Sequence, residues 1–408
     1  MRKILLPLTI FTSLFSIGQT VSEQVSIQPG YTNQAYYSIQ NGEISNISNN
    51  DWDLAFEIGS FGTGVRINGT LDWSVYVAST DTTTWATTDT TGLSTWTPLH
   101  NSDISWGEGA FNKDYDPNNQ FDIGWGIYNP TTHKITGNRI FVLKASDGTV
   151  KKLWIKSMNN GTFKVLIDDL ANANLTTLEI VKGDYAGKNF VYYNISNNTI
   201  LDREPLASDW DFVFTKYMSE IAPNTFYPVT GVLINPSVDI YEASGADATD
   251  LTFDSSVPFS TEINTIGSDW KSYSFALNDY VIQDSLAFFI QPASGDVYKL
   301  VMTDFGGSSN GIFEFDLTQI GTASISEPTL EKDFSIYPNP AVNEIFIAGA
   351  ENLISMQIFN LAGKAILQIR AEGSDIIQIN TQALSTGTYI VQAIDKNGRS
   401  TMSKFVKL

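Results

Sequence analysis

The sequence contains no cysteine, and among its 408 residues only His100 and His133 are histidines. The first absence excludes disulfide staples, thiolate metal sites and thiol nucleophiles, along with the lipidated cysteine that tethers exported lipoproteins. Positive charge is scarce as well, with 24 Lys+Arg against 44 Asp+Glu and a formal net charge of −20. From Glu331 onward the charges balance, so the acidity belongs to the body, where it repels nucleic acid and anionic membrane and suits solubility outside the cell. Helical periodicity beyond two turns is also scarce; "DDLANANLTTLE", from Asp168 to Glu179, comes nearest. There is no G-x-S-x-G, H-E-x-x-H, Ser-His-Asp order or phosphate loop, so an enzyme is not expected.

What is present favours sheets. Trp 9, Tyr 17 and Phe 24 are β-forming aromatics, and 408 residues exceed what one core usually serves. The N-terminus "MRKILLPLTIFTSLFSIGQT" has a basic start, an apolar stretch and a small-x-small site at Ser16-Ile17-Gly18. That stretch is shorter than the roughly 20 residues that span a bilayer. It predicts a cleaved export signal at 1–18 and no transmembrane segment.

The body repeats itself. "AYYSIQNGEISNISNNDWDLAFE" from Ala35 answers "VYYNISNNTILDREPLASDWDFVFT" from Val191, and "GVRIN" at Gly64 answers "GVLIN" at Gly231. "ITGNRIFVLKASDGTVKKLWI" from Ile135 aligns without a gap to "IQDSLAFFIQPASGDVYKLVM" from Ile282, and "NGTFKVLIDDL" from Asn160 answers "NGIFEFDL" from Asn310. Matched blocks in one order indicate a duplicated domain. Asp147-Gly148 between two alternating runs predicts a hairpin, with Ser294-Gly295-Asp296 as its counterpart. Tyr36, Tyr37 and Ile39 before Asn41-Gly42 predict another. In an extended segment Trp52, Leu54 and Phe56 share a face, as do Trp210, Phe212 and Phe214.

On these residues each copy resembles the HmuY family of Bacteroidota surface proteins. The resemblance rests on the Tyr-Tyr strand, the Asp-Trp-Asp strand and the late hairpin "NRIFVLKASDG", and it covers about Gln24 to Thr322. It implies an all-β, hand-like fold and a haem carrier with paired axial histidines.

After the polar linker "GTASISEPTLEKD" come short alternating strands broken by Pro338-Asn339-Pro340, Ala362-Gly363-Lys364, Thr386-Gly387-Thr388 and Lys396-Asn397-Gly398. Six or seven such strands fit a small β-sandwich. "YPNP", "IFNLAGK", "STGTYIV" and the basic end "KFVKL" resemble the type A C-terminal sorting domain of type IX secretion cargo. This resemblance implies recognition by the type IX translocation machinery and a mature body released or held at the outer cell surface. The expected architecture is all-β: signal at 1–18, tandem antiparallel β domains at 24–180 and 181–322, linker at 323–333, and an Ig-like sandwich at 334–408.

Candidate chemistry is dispersed. A haem site needs both His100 and His133, 33 positions apart in the first copy, while the second copy has none; surface histidines without a ligand role are the plain alternative. Met158, Met218 and Met302 are thioethers more often used as core filler. "DYDPNNQFD" gathers Asp114, Asp116, Asn118, Asn119 and Asp122, oxygen donors of the kind calcium takes, or else a solvated turn. Asp51 with Asp53, and Asp209 with Asp211, flank tryptophans as in a glycosidase, but neighbours on one strand do not face each other across a cleft. Trp73, Trp85, Trp96 and Trp106 lie in a Thr-rich stretch without a visible counterpart in the second copy, a loop suited to glycans, porphyrins or protein surfaces, or to a buried satellite cluster. Three classes stay open: a haem or porphyrin carrier, an adhesion or glycan-binding surface protein, and a hydrolase.

Overall fold

The computed structural model describes residues 18–59, 61–71, 73–322, 334–349, 353–360, 365–370, 376–395 and 400–408. The expected export signal, apart from its last residue, and the linker lie outside the described residues. The chain divides into two compact units between residues 323 and 324. Among the described residues the helical pieces are 3-10 turns and everything else regular is strand, so the all-β expectation is met. The "DDLANANLTTLE" segment is the end of one strand, a turn, and the strand Thr176–Val181. Its β-branched Thr-Thr and Ile-Val ends favour the ladder over a helix.

The hairpins form where the turn residues placed them. Ile140–Lys144 pairs with Val150–Asn159 around Gly148, whose φ of 88° is open to glycine at little cost. Leu286–Gln291 pairs with Asp296–Phe305 in the same way. Alternation puts Phe141, Leu143, Leu153 and Ile155 into one core, and Phe288, Ile290, Leu300 and Met302 into another.

The two halves of the body exchange strands. The Tyr-Tyr strand Asn33–Ser38 pairs with Phe212–Ala222, the Asp-Trp-Asp strand of the second copy. The second Tyr-Tyr strand, Phe190–Asn194, pairs with Leu54–Glu57 of the first copy. At the far side Thr20–Ser26 closes onto Ile312–Thr322 over seven residue pairs, tying the start of the described chain to the end of the body. One core therefore spans Leu54 to Tyr193 without interruption, between a four-stranded and a seven-stranded sheet. The other is built from Val25 to Ile39 plus Trp210 to Leu317, between a four-stranded and a five-stranded sheet. The expected boundary at 180/181 does not coincide with this partition, because each Asp-Trp-Asp strand takes its ladder partner from the opposite copy.

Among the described residues the C-terminal unit has seven strands in sheets of three and four, within the expected number for a small sandwich. Ile345, Ile347, Met356, Ile358, Val391 and Phe405 form its core.

Candidate functional site

The repeated phrase places equivalent hydrogen bonds on both halves. Asp53 Oδ2 accepts from Ile195 N at 2.6 Å, and Asp211 Oδ2 accepts from Ile39 N at 2.7 Å. Each carboxylate thus fastens the end of the Tyr-Tyr strand borrowed from the other copy. Burial raises the pKa of both, and the backbone hydrogen bond opposes the rise. Asn68 Nδ2 donates to Asn49 O and Trp52 O, and Asn235 Nδ2 to Ala207 O and Trp210 O. Asp53 and Asp211 thus act as structural fasteners, while Asp51 lies 3.4 Å from Arg203 Nε and Asp209 accepts from Ser208 Oγ at 2.8 Å.

Between the halves lies a cavity of about 80 Å³. Its walls repeat too: Tyr36 meets Trp210 edge-on at 5.1 Å, and Tyr192 meets Trp52 edge-on at 5.0 Å. Trp52 reaches it by turning away from Leu54 and Phe56, since the strand begins only at Leu54; the shared face expected for the three is broken by that bend. The two phenol oxygens lie 3.3 Å apart where the halves meet.

The repeat breaks at four positions around this cavity. Gln34, opposite Phe190 in the repeat, donates to Tyr36 Oη at 2.6 Å. Tyr192 Oη donates to Glu204 at 2.9 Å, and Glu204 also accepts from Asn189 N at 3.0 Å. Burial pushes the Glu204 carboxyl up to about 7, against the lowering effect of those hydrogen bonds. Arg66, opposite Leu233, gives its guanidinium hydrogens to Ser102 O, Ser105 O and Trp106 O, and burial pulls its pKa down to about 10. It thereby holds Trp106, whose ring lies 5.3 Å from the guanidinium and whose Nε1 donates to Ile234 O at 2.8 Å. The fourth break is Asn49 opposite Ala207. Trp52 Nε1 donates to Asn49 Oδ1 at 2.9 Å, whereas Trp210 has no such acceptor. Among the described residues Trp210 Nε1 and Asn189 Nδ2, both on the cavity wall, are buried without a hydrogen-bond partner. Such donors cost about 1–3 kcal/mol each unless water or a ligand meets them.

The residues singled out from sequence fall elsewhere, with one exception. His133 sits at a hairpin turn with φ 55°, its Nδ1 sharing a hydrogen bond with Tyr128 Oη at 2.7 Å. Asn278 does the same in the second half, with φ 54° and Tyr273 Oη donating at 3.0 Å. His100 stacks on Phe226 at 3.9 Å, and burial lowers its pKa. The two histidines lie against different partners, His100 on Phe226 beside a depression of about 290 Å³ and His133 on Tyr128, and neither lines the cavity between the halves. Met218 lines the cavity, Met302 is core and Met158 packs beside the first core.

The carboxylates expected to gather calcium gather a guanidinium. Arg139 donates to Asp114 at 2.8 Å and to both oxygens of Asp122 at 3.1 and 2.9 Å, while Asp116 Oδ1 accepts from Asn118. Among the described residues no group of three or more acidic or imidazole side chains could hold a metal ion.

Of the four loop tryptophans, only Trp106 reaches the cavity. Trp73 Nε1 donates to Asp53, Trp85 packs near Trp154 and Lys152, and Trp96 meets Tyr76. The Thr-rich stretch does have a counterpart. "SVYVASTDTT" at Ser74 matches "DIYEASGADAT" at Asp239 with one residue inserted; Asp81 and Asp247 each cap a 3-10 turn by accepting from Thr83 N and Thr249 N. The aligned Lys152 and Lys299 pin these turns through Trp85 O, and through Thr249 O and Leu251 O. Sequence reasoning missed Tyr36, Tyr192, Arg66 and Glu204. The signal available was the pair of tyrosines repeated beside Asp-Trp-Asp, and the polar departures from the repeat around it.

Residues 335–408 match the secretion system C-terminal sorting domain family. That domain marks the chain for type IX secretion to the cell surface or outside, and no helix among the described residues is long and apolar enough to cross a membrane. No curated protein matches the chain. Among solved structures, PorZ, described as an essential bacterial surface component of the type IX secretion system of Porphyromonas gingivalis, aligns at 14% identity over 71% of this chain and 42% of that one, with a TM-score of 0.18. The polysaccharide lyase BACCELL_00875 aligns at 10% identity over 78% and 43%, with a TM-score of 0.15. The chain spans about two fifths of the length of these structures, and at such TM-scores neither supports an argument about fold or role.

Proposed function

We propose that the secreted body is a non-enzymatic carbohydrate-binding protein that holds a sugar residue between its two duplicated halves. The observation that carries this reading is the cavity where the halves meet: aromatic walls from Tyr36, Trp52, Tyr192 and Trp210, with buried donors on Trp210 and Asn189 that lack a partner. Sugars present apolar ring faces to aromatic side chains and oxygen acceptors to such donors. At about 30 Å³ per water in the liquid, 80 Å³ is room for roughly two to three waters, so the cavity takes a hydroxyl-bearing edge of a sugar and leaves the rest of the ring outside it. Among the described residues Glu204 is the one carboxylate on the wall, whereas glycoside hydrolysis uses two carboxylates, and this favours binding over cleavage. His100 and His133 lie against different partners and neither lines this cavity, which favours the carbohydrate reading over a haem carrier.

The test is a glycan array probed with the purified chain, followed by calorimetry of the best saccharide. Trp52→Ala, which removes one wall, should weaken binding by about tenfold or more while leaving the fold's circular dichroism unchanged. Absence of binding to any saccharide, or full affinity in the variant, would remove the reading.

A further inference from the structure

The cavity continues outward. Thr70 and Lys216 line both it and a second depression of about 530 Å³, so the two volumes adjoin along these residues. The outer groove is also lined by Tyr31, Tyr227 and Tyr280, of which Tyr227 is 59% exposed. Lys271 lines it as well, its ammonium donating to Thr230 O at 2.6 Å and lying 4.2 Å from the Trp270 ring. Among the described residues the Lys216 ammonium has no hydrogen-bond or ion-pair partner.

The charge along this path runs against the protein's own. The chain carries −20, yet cavity and groove together present Arg66, Lys216 and Lys271 against Glu204 and Asp269. Burial raises Glu204 to about 7 and lowers Lys271 to about 7, so these two shifts offset each other and Arg66 with Lys216 sets the positive balance against Asp269. The partnerless buried atoms on the wall are N–H donors, which a hydroxyl, ring or carboxylate oxygen of a saccharide can meet as acceptor. Two adjoining volumes with aromatic faces suit a chain of rings better than one small anion.

We infer that the ligand is an anionic oligosaccharide carrying carboxylates, with an edge of its end residue in the cavity and its rings along the groove past Lys216 toward Lys271. This rests on the carbohydrate reading above. Lys216 meets a carboxylate in the groove, and the aromatic walls carry the rings.

The experiment compares the full chain's binding of a galacturonate tetramer with that of its methyl ester, which keeps the backbone and removes the charge. The acid is expected to bind about tenfold tighter, with an advantage that shrinks as salt is raised and disappears in Lys216→Gln but returns in Lys216→Arg. Equal binding of acid and ester, or an advantage that survives in Lys216→Gln, would overturn the inference and leave the carbohydrate reading standing. If neither tetramer nor any neutral saccharide binds, the carbohydrate reading itself fails and takes this inference with it.

Discussion

At His133 the backbone holds φ 55°, the left-handed region that costs most side chains about 1–2 kcal/mol and that asparagine visits most readily. Asn278 occupies the matching turn in the second half, and Asn198 does so after Phe190–Asn194, with φ 48° and a hydrogen bond from Tyr193 Oη. A tyrosine five residues before a left-handed acceptor is thus a turn device used three times, and the histidine is one instance of it. His133→Asn should leave the denaturation midpoint unchanged or slightly raised, while His133→Ala lowers stability by about 1 kcal/mol; urea titration of the three proteins distinguishes them. Haemin absorbance should be the same for all three, and a Soret shift present in the wild type and lost in both variants would restore the histidine as a ligand. From sequence a rare histidine invites a ligand role, because φ is invisible there.

At the scale of elements, the loop from Asp114 to Asp122 is closed by Arg139, whose side chain is 6% exposed beside an Asp122 side chain that is 3% exposed. A calcium ion would compete for carboxylate oxygens already engaged by the guanidinium, so thermal melting in calcium and in chelator should coincide. Arg139→Ala leaves Asp122 buried and unpaired, with an expected loss of about 3–5 kcal/mol by chemical denaturation. The hairpins were legible because their information is local: a Gly at the turn and alternation on both sides. The counterpart of the Thr-rich loop was harder to see, because its match carries an inserted residue and Lys152 and Lys299 grip the two loops through backbone carbonyls, which do not fix the identity of the gripped residues.

On the scale of the whole molecule, Glu204 couples the joint between the halves to pH. Its pKa is 4.5 ordinarily and about 7 in the fold, so between these values the unfolded chain releases a proton that the folded chain retains. Stability from this group is therefore highest below about pH 4.5, falls as pH rises through that window, and stays lower by about 3 kcal/mol above pH 7. Glu204→Gln should flatten the decline in melting temperature between about pH 5 and 8; an unchanged slope would show that the carboxyl ionises freely in the fold.

The amino-acid sequence by itself determined the strand content and the sorting tail, since both are written in local alternation, turn residues and short motifs. Only the tertiary structure decided which Tyr-Tyr strand pairs with which Asp-Trp-Asp strand. The two copies of each strand are nearly interchangeable, so the local pattern is satisfied by either pairing. The choice rests on long-range hydrogen-bond ladders and on the closure of Thr20–Ser26 onto Ile312–Thr322. That exchange brings Tyr36 and Tyr192 face to face, and with them the cavity that no single copy contains.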